Sequence, residues 1–273
     1  MKAKKVFDNK IIGYAYFLLE YNPKFLDKKI FVTKLVADIR KTTIGFAGFE
    51  RKKHLERYLR FQLFDDEQYK NLPRYKFAKN KIFNIIKDTL TKCHSKLSAK
   101  PARIFLFPNF NSFVKNRMGG VSGFSPRENT ILIDINPTVK EWETNLKNTI
   151  CHEYNHSVVY NFHKWNTLLD NLIFEGLAEH FREQVIGGKR SPWVKAVSQQ
   201  KCRKYFSQLE GVLNSKSHQL YREVFFGSRT YPLWLGYSLG YYIVYSFLNN
   251  NKEKSWEDIV KIKPKEILEQ SSF

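Results

Sequence analysis

The sequence predicts an α+β chain with a mostly helical N-terminal part, a small sheet that includes an edge strand, and then further helices. Three observations carry this. Residues 50–64 and 75–97 repeat apolar side chains at the spacing of one helical face. Residues 102–136 switch to short apolar runs cut by glycine, proline and turn residues. From residue 138 the helical period returns.

Taken in order, residues 4–100 read as mostly helical. "ERKKHLERYLRFQLF" (50–64) puts Leu55, Leu59, Gln62 and Leu63 near one face, with basic residues around the rest. "YKFAKNKIFNIIKDTLTKCHSKL" (75–97) does the same with Phe77, Ile82, Ile85, Ile86, Leu90 and Leu97, ending near Pro101. "ARIFLFP" (102–108) is an apolar run stopped by proline, as in a buried strand. "MGGVSGF" and "NTILIDINP" follow, joined by the turn residues "SPREN". In the second of these, Leu132, Asp134 and Asn136 alternate with isoleucines and give one face a more polar character. Residues 138–162 begin with Thr138 and carry Glu141 and Glu143 early, which suits a helix N-terminus. Residues 168–188 form a second amphipathic helix ended by Gly187 and Gly188, and residues 231–250 a strongly apolar third.

The hydrophobic fraction of 42%, with 16% aromatic residues, is ample for a core and excludes a disordered chain. Three scattered cysteines with no CxxC pair indicate neither a disulfide framework nor a cysteine zinc knuckle. The apolar run after the first lysines is interrupted at Asp8–Lys10, so it reads poorly as a signal peptide. No later run reaches the length of a membrane span, and a cytoplasmic location is expected. The net charge is +20, and residues 1–100 hold 24 Lys/Arg against 10 Asp/Glu. Nucleic acid or an acidic partner could use such a surface, but the basic residues are scattered and no recognition motif accompanies them, so a solvated face is favoured.

The chemistry concentrates in "ICHEYNHSVVY" (150–160). On a helix, residues four apart lie about 40° from each other, so His152 and His156 can aim at one point, with Glu153 about 100° round. Zinc takes neutral imidazoles and tolerates a carboxylate while keeping a position open for water. Glu153 could accept the proton of that water. The flanking Ile150, Cys151, Val158 and Val159 argue against a merely solvated face. A third histidine in the HExxHxxGxxH manner fails, because the chain has Val159 and Phe162, and His163 is one place out of register. "FEGLAEHF" supplies Glu175 and Glu179 on one face instead, with Glu175 nineteen residues after His156. Glu175 is the expected third ligand, with Glu179 and His180 as alternatives. Glu179 is positioned to accept a ligand histidine's other ring N–H. His54, His94, His163 and His218 read as ordinary surface or packing residues.

"HEYNH", "FEGLAEHF" and "WLGYSLGYYIV" together resemble a bacterial family of predicted zinc-dependent proteases. The spacing is also similar to the wider gluzincin group, of which thermolysin is the familiar member. The resemblance covers roughly residues 102–248 and implies a gluzincin-like zinc helix followed by a glutamate helix. It implies one Zn2+ held by His152, His156 and Glu175, with Glu153 as general base and Glu179 supporting a histidine. Glutamate at 179, where that group has aspartate, is a departure.

A peptidase also needs a cradle for an extended peptide. Gly119–Phe124 or Ile131–Ile135 could offer a strand edge, with glycines 119, 120 and 123 permitting close approach. Tyr237 is the expected donor to the oxyanion, with Tyr231, Tyr241 and His218 as rivals. The sequence therefore points to a zinc-dependent metallopeptidase acting on peptide or protein, with residues 1–100 a basic N-terminal region and 101–273 the peptidase domain, packed as one unit. The competing class is a zinc-containing binding protein whose basic N-terminal surface takes nucleic acid or an acidic partner.

Overall fold

A computed structural model describes residues 3–19, 28–42, 45–64 and 76–273. Tyr75 of the segment 75–97, and residues 20–27, 43–44 and 65–74 of the stretch read as mostly helical, lie outside the described residues. The chain divides into two compact units, Met1–Ser157 and Val158–Phe273. The architecture is α+β.

The first unit is built on a mixed sheet that has five strands among the described residues, in the order β1-β2-β3-β5-β4. These are β1 (Lys4–Asp8), β2 (Lys10–Phe17), β3 (Ala102–Pro108), β4 (Val121–Arg127) and β5 (Thr130–Ile135). The outer pairs β1/β2 and β4/β5 are antiparallel, and the inner pairs β2/β3 and β3/β5 are parallel. Helices α1 (Lys28–Arg40), α2 (Lys52–Leu63), α3 (Lys79–Lys96), α4 (Ser112–Arg117) and α5 (Trp142–Val159) complete the elements that begin in this unit.

The helical reading of the first hundred residues holds for α1, α2 and α3 but fails at residues 4–17, which are strands. "KKVFD" and "KIIGYAYF" are rich in β-branched and aromatic residues, and Asn9 turns between them at a φ of 58°. What settles β2 is non-local pairing, since Gly13–Phe17 lie beside Ala102–Leu106, far along the chain.

Leu55, Leu59 and Leu63 of α2 are buried, as their spacing predicts. They join Phe31, Val32 and Leu35 of α1 in one core with Phe105, Phe107 and Leu132 from the sheet. Tyr16 stacks on Phe105 at 4.6 Å. Helix α3 buries Ile82, Ile86 and Leu90. Helix α5 is pinned to its end by Tyr154, whose hydroxyl donates to the Leu97 carbonyl at 2.8 Å.

Strand β5 departs from its expected polar face, because all six of its residues are buried. Asp134 tolerates this by accepting hydrogen bonds from Asn109 Nδ2 (2.7 Å) and Ser122 Oγ (2.9 Å). Ser122 is in turn bonded by Gln62 of α2. Burial nevertheless pushes the Asp134 carboxyl up to about 7, against the lowering effect of those donors. Thr138 lies ahead of α5 rather than on it, its hydroxyl bonded to Asn136 Oδ1 at 2.7 Å.

The second unit is helical, with α6 (Leu168–Ile186), α7 (Gln199–Leu209), α8 (His218–Phe226), α9 (Leu235–Asn250), α10 (Trp256–Ile259) and α11 (Pro264–Glu269). Helix α6 opens on a capping box, with Thr167 Oγ1 accepting from Asp170 N and Asp170 Oδ2 accepting from Thr167 N. It stops at Gly187, as read from the sequence. It is buried over most of its surface rather than along one stripe, because α9 crosses it at backbone distance. A Cβ on Gly176 would stand 2.2 Å from the Gly240 carbonyl oxygen, and one on Gly240 would stand 1.9 Å from the Leu172 carbonyl oxygen. Those two glycines are what let the helices touch. Among the described residues, no helix is long and apolar enough to cross a membrane.

Candidate metal centre

Helix α5 presents the two histidines of the motif from successive turns. The His152 and His156 rings stand 4.5 Å apart, nearly perpendicular at 87°. His156 is only 4% exposed, and Glu153 between them only 6%. Glu175 is partly exposed on α6, one residue beyond the apolar contact made by Phe174 and beside Gly176, which faces α9. One ligand atom each from His152, His156 and Glu175 lie within 4.8 Å of one another, the one such grouping among the described residues.

That donor set fits zinc chemically. Bonds of about 2.0–2.1 Å in a tetrahedral site place ligand atoms roughly 3.4 Å apart, so small rotations of three side chains close the group around an ion. Two imidazoles and one carboxylate leave the fourth position to water, the composition of a catalytic rather than a structural zinc site.

Glu153 does not share in that grouping. Its Oε2 accepts from Ser125 Oγ at 2.9 Å, and the same hydroxyl is 2.8 Å from the Glu153 backbone carbonyl oxygen. Two residues earlier on β4, a Cβ at Gly123 would stand 2.6 Å from Glu153 Cγ and 3.0 Å from its Oε1. Glycines 119 and 120 sit at positive φ, and a Cβ on them would meet Asn145 and Val139. These three glycines thus make room for neighbours in the fold, which differs from the expectation that they serve a substrate backbone. The second expected cradle also changes. Strand β5 is flanked by β3 and β4 and has no edge to offer, whereas β4 is an outer strand of the described sheet.

Glu179 lies one turn beyond Glu175 and is 1% exposed. Its carboxylate accepts from Trp193 Nε1 (2.7 Å), Ser191 Oγ (2.9 Å) and the Arg182 guanidinium (2.9 Å), and the pair with Arg182 is fully buried. His180 is committed elsewhere, since its Nε2 donates to the Tyr241 carbonyl at 2.9 Å and its ring stacks on Tyr241 at 4.2 Å. Burial pushes its pKa down to about 4 and keeps it neutral.

Of the tyrosines, Tyr237 packs between Phe225 (5.1 Å) and Trp193 (6.4 Å). Tyr241 donates its hydroxyl to Glu183 at 3.0 Å, with Arg190 over its ring. Tyr231 sits against Tyr205, and His218 is exposed at the start of α8. Tyr221 went unnoticed in the sequence. Burial, and then the charge of the Glu175 carboxylate, push its phenol well above the ordinary range. Ser125 was also missed, and only its place two residues after Gly123 on one strand face hinted at it.

The chain is 27% identical over 148 residues to the uncharacterized protein YjfC of Bacillus subtilis (strain 168), covering 49% of this chain and 47% of that protein. It thus spans about half the length of the curated relative it matches. No solved structure matches it. Residues 82–269, which take in most of α3 and every element after it, match the family described as Predicted Zn-dependent protease (DUF2268). With well over half of its length so matched, the chain belongs to that family.

Proposed function

We propose that this chain is a gluzincin-type zinc peptidase in which His152, His156 and Glu175 hold one Zn2+ and Glu153 is the general base. The observation that carries the reading is the convergence of two imidazoles and a carboxylate within 4.8 Å. A bound zinc would polarise a scissile carbonyl and acidify a water at neutral pH. Glu153 would accept a proton from the attacking water and hand it to the leaving amine, the two roles of one positioned carboxylate. Its near-complete burial suits this, because a water-excluded carboxylate interacts strongly with whatever it faces. Glu179, expected to support a ligand histidine, is held instead by Trp193, Ser191 and Arg182, and in this reading it braces the helix that presents Glu175 one turn earlier. A tyrosine hydroxyl would donate to the developing oxyanion; Tyr237 is one candidate, and Tyr221, whose phenol is raised by burial and then by the Glu175 carboxylate, is the other. An extended peptide adds along the outer edge of β4.

The test compares metal content and cleavage of a peptide library by wild type, Glu153→Gln and Glu175→Ala. Wild type is expected to carry about one zinc per chain and to cleave. Glu175→Ala loses the metal, and Glu153→Gln keeps it but does not cleave. Turnover by Glu153→Gln at the wild-type rate refutes the base.

A further inference from the structure

Strand β4 meets helix α5 at the residue assigned as the base. Residues 123 and 125 share one face of the strand, and both touch Glu153. Ser125 is 2% exposed, so its hydroxyl does not serve solvent. It reaches two oxygens of the same residue, Oε2 at 2.9 Å and the backbone carbonyl at 2.8 Å. Gly123 provides the complement. With no side chain there, the carboxyl stem lies where a Cβ would stand 2.6 Å from Cγ. The strand therefore forms a slot, closed by a hydroxyl on one side and kept open by a missing side chain on the other.

The terminal torsion of glutamate is broad and roughly two-fold, so packing of the stem alone leaves the carboxylate plane loosely defined. A hydrogen bond to one oxygen removes that freedom and fixes the direction of the other. A general base needs this control, because misplacing a reacting group by about 1 Å can cost roughly a hundredfold in rate. We infer that Ser125 is a positioning residue for the hydrolytic step, orienting the Glu153 carboxylate toward the attacking water through its bond to Oε2. This rests on Glu153 being the base. Ser125 touches neither the metal group nor, on this assignment, the substrate. Its removal lowers kcat and leaves KM and zinc binding in place.

The experiment measures kcat, KM, zinc content and melting temperature for wild type, Ser125→Ala, Ser125→Thr and Glu153→Gln on one cleaved peptide. Ser125→Ala is expected to lose about ten- to a hundredfold in kcat, with KM and zinc content within about twofold of wild type. Ser125→Thr, which keeps the hydroxyl, recovers at least half of the loss. A Ser125→Ala kcat within about twofold of wild type overturns the inference, as does a Thr variant that folds but is as slow as Ala. Should Ser125→Ala lose zinc or melt far below wild type, Ser125→Cys decides. It keeps the shape with a much weaker donor, so an unchanged kcat refutes the role and a lowered kcat with zinc retained supports it. A wild type that cleaves no peptide, or a Glu153→Gln as active as wild type, sinks the peptidase reading itself. An active wild type with an inert Glu153→Gln and an unaffected Ser125→Ala sinks only the role of Ser125.

Discussion

Replacing Gly240 by alanine puts one methyl group where α9 touches α6. In an ordinary helix interior this change stabilises, by roughly 0.5–1 kcal/mol, because alanine loses less backbone entropy. Here the new Cβ would lie 1.9 Å from the Leu172 carbonyl oxygen and 2.8 Å from its carbon, with the Gly176 nitrogen at 3.3 Å. No side chain can rotate away, since the obstacle is backbone, so the helices must separate by about 1 Å or more. Overpacking usually costs about 1–3 kcal/mol, and a backbone clash belongs at the top of that range. Subtracting the propensity gain leaves a net loss of about 2–2.5 kcal/mol, or a fall in Tm of roughly 4–10 °C for a chain of this size. The same separation shifts Glu175, adjacent to Gly176, so chelator should strip zinc about tenfold more readily. Calorimetry with and without chelator measures both effects. Gly211→Ala is the control, since a Cβ there meets nothing within 4 Å. A Gly240→Ala protein that melts within a degree of wild type would refute the reasoning about this crossing.

Asp134 titrates with a carboxyl raised by burial to about 7 from 3.8. A raised folded pKa means the native state holds the proton more tightly, so this group's stabilising contribution is full below about pH 4 and is lost as pH rises through about 7. The melting temperature of wild type minus that of Asp134→Asn should therefore fall between about pH 4 and pH 7, and a flat difference contradicts the assignment. Arg182→Met leaves the buried Glu179 carboxylate without its cation and should cost about 3–5 kcal/mol in urea unfolding, where a loss below about 1 kcal/mol would mean Trp193 and Ser191 suffice. Tyr221→Phe and Tyr237→Phe, compared for kcat at equal zinc content, separate the two candidate oxyanion donors: the true donor loses about a hundredfold and the other little.

The grouping of His152, His156 and Glu175 could be read from spacing because helices convert sequence distance into angle. His152 and His156 are four apart, and Glu175 comes one loop and two turns later on the next helix. The strands β3, β4 and β5 were legible for a similar reason, as their punctuation by Pro108, Gly119, Gly120 and Pro137 is local. Residues 4–17 were not, because β2 finds its partner in β3, and no local pattern announces a parallel neighbour that far along the chain. The burial of Asp134 escaped notice for the same cause. Its acceptable environment is assembled by Asn109 from the loop after β3, Ser122 from β4 and Gln62 from α2. Gly176 and Gly240 stood in plain view inside the motifs, but that they face each other is a property of two helices crossing, which neither helix encodes alone.

The serine tether has a mechanical corollary. The rail along which an extended peptide would lie also mounts Glu153, the proposed proton acceptor, and it is irregular between Phe124 and Arg127, where Ser125 sits. Each main-chain bond a substrate adds to that rail stiffens the mount. Longer peptides should accordingly gain in turnover more than in apparent affinity, because their extra grip is spent on aligning the acceptor rather than on staying bound.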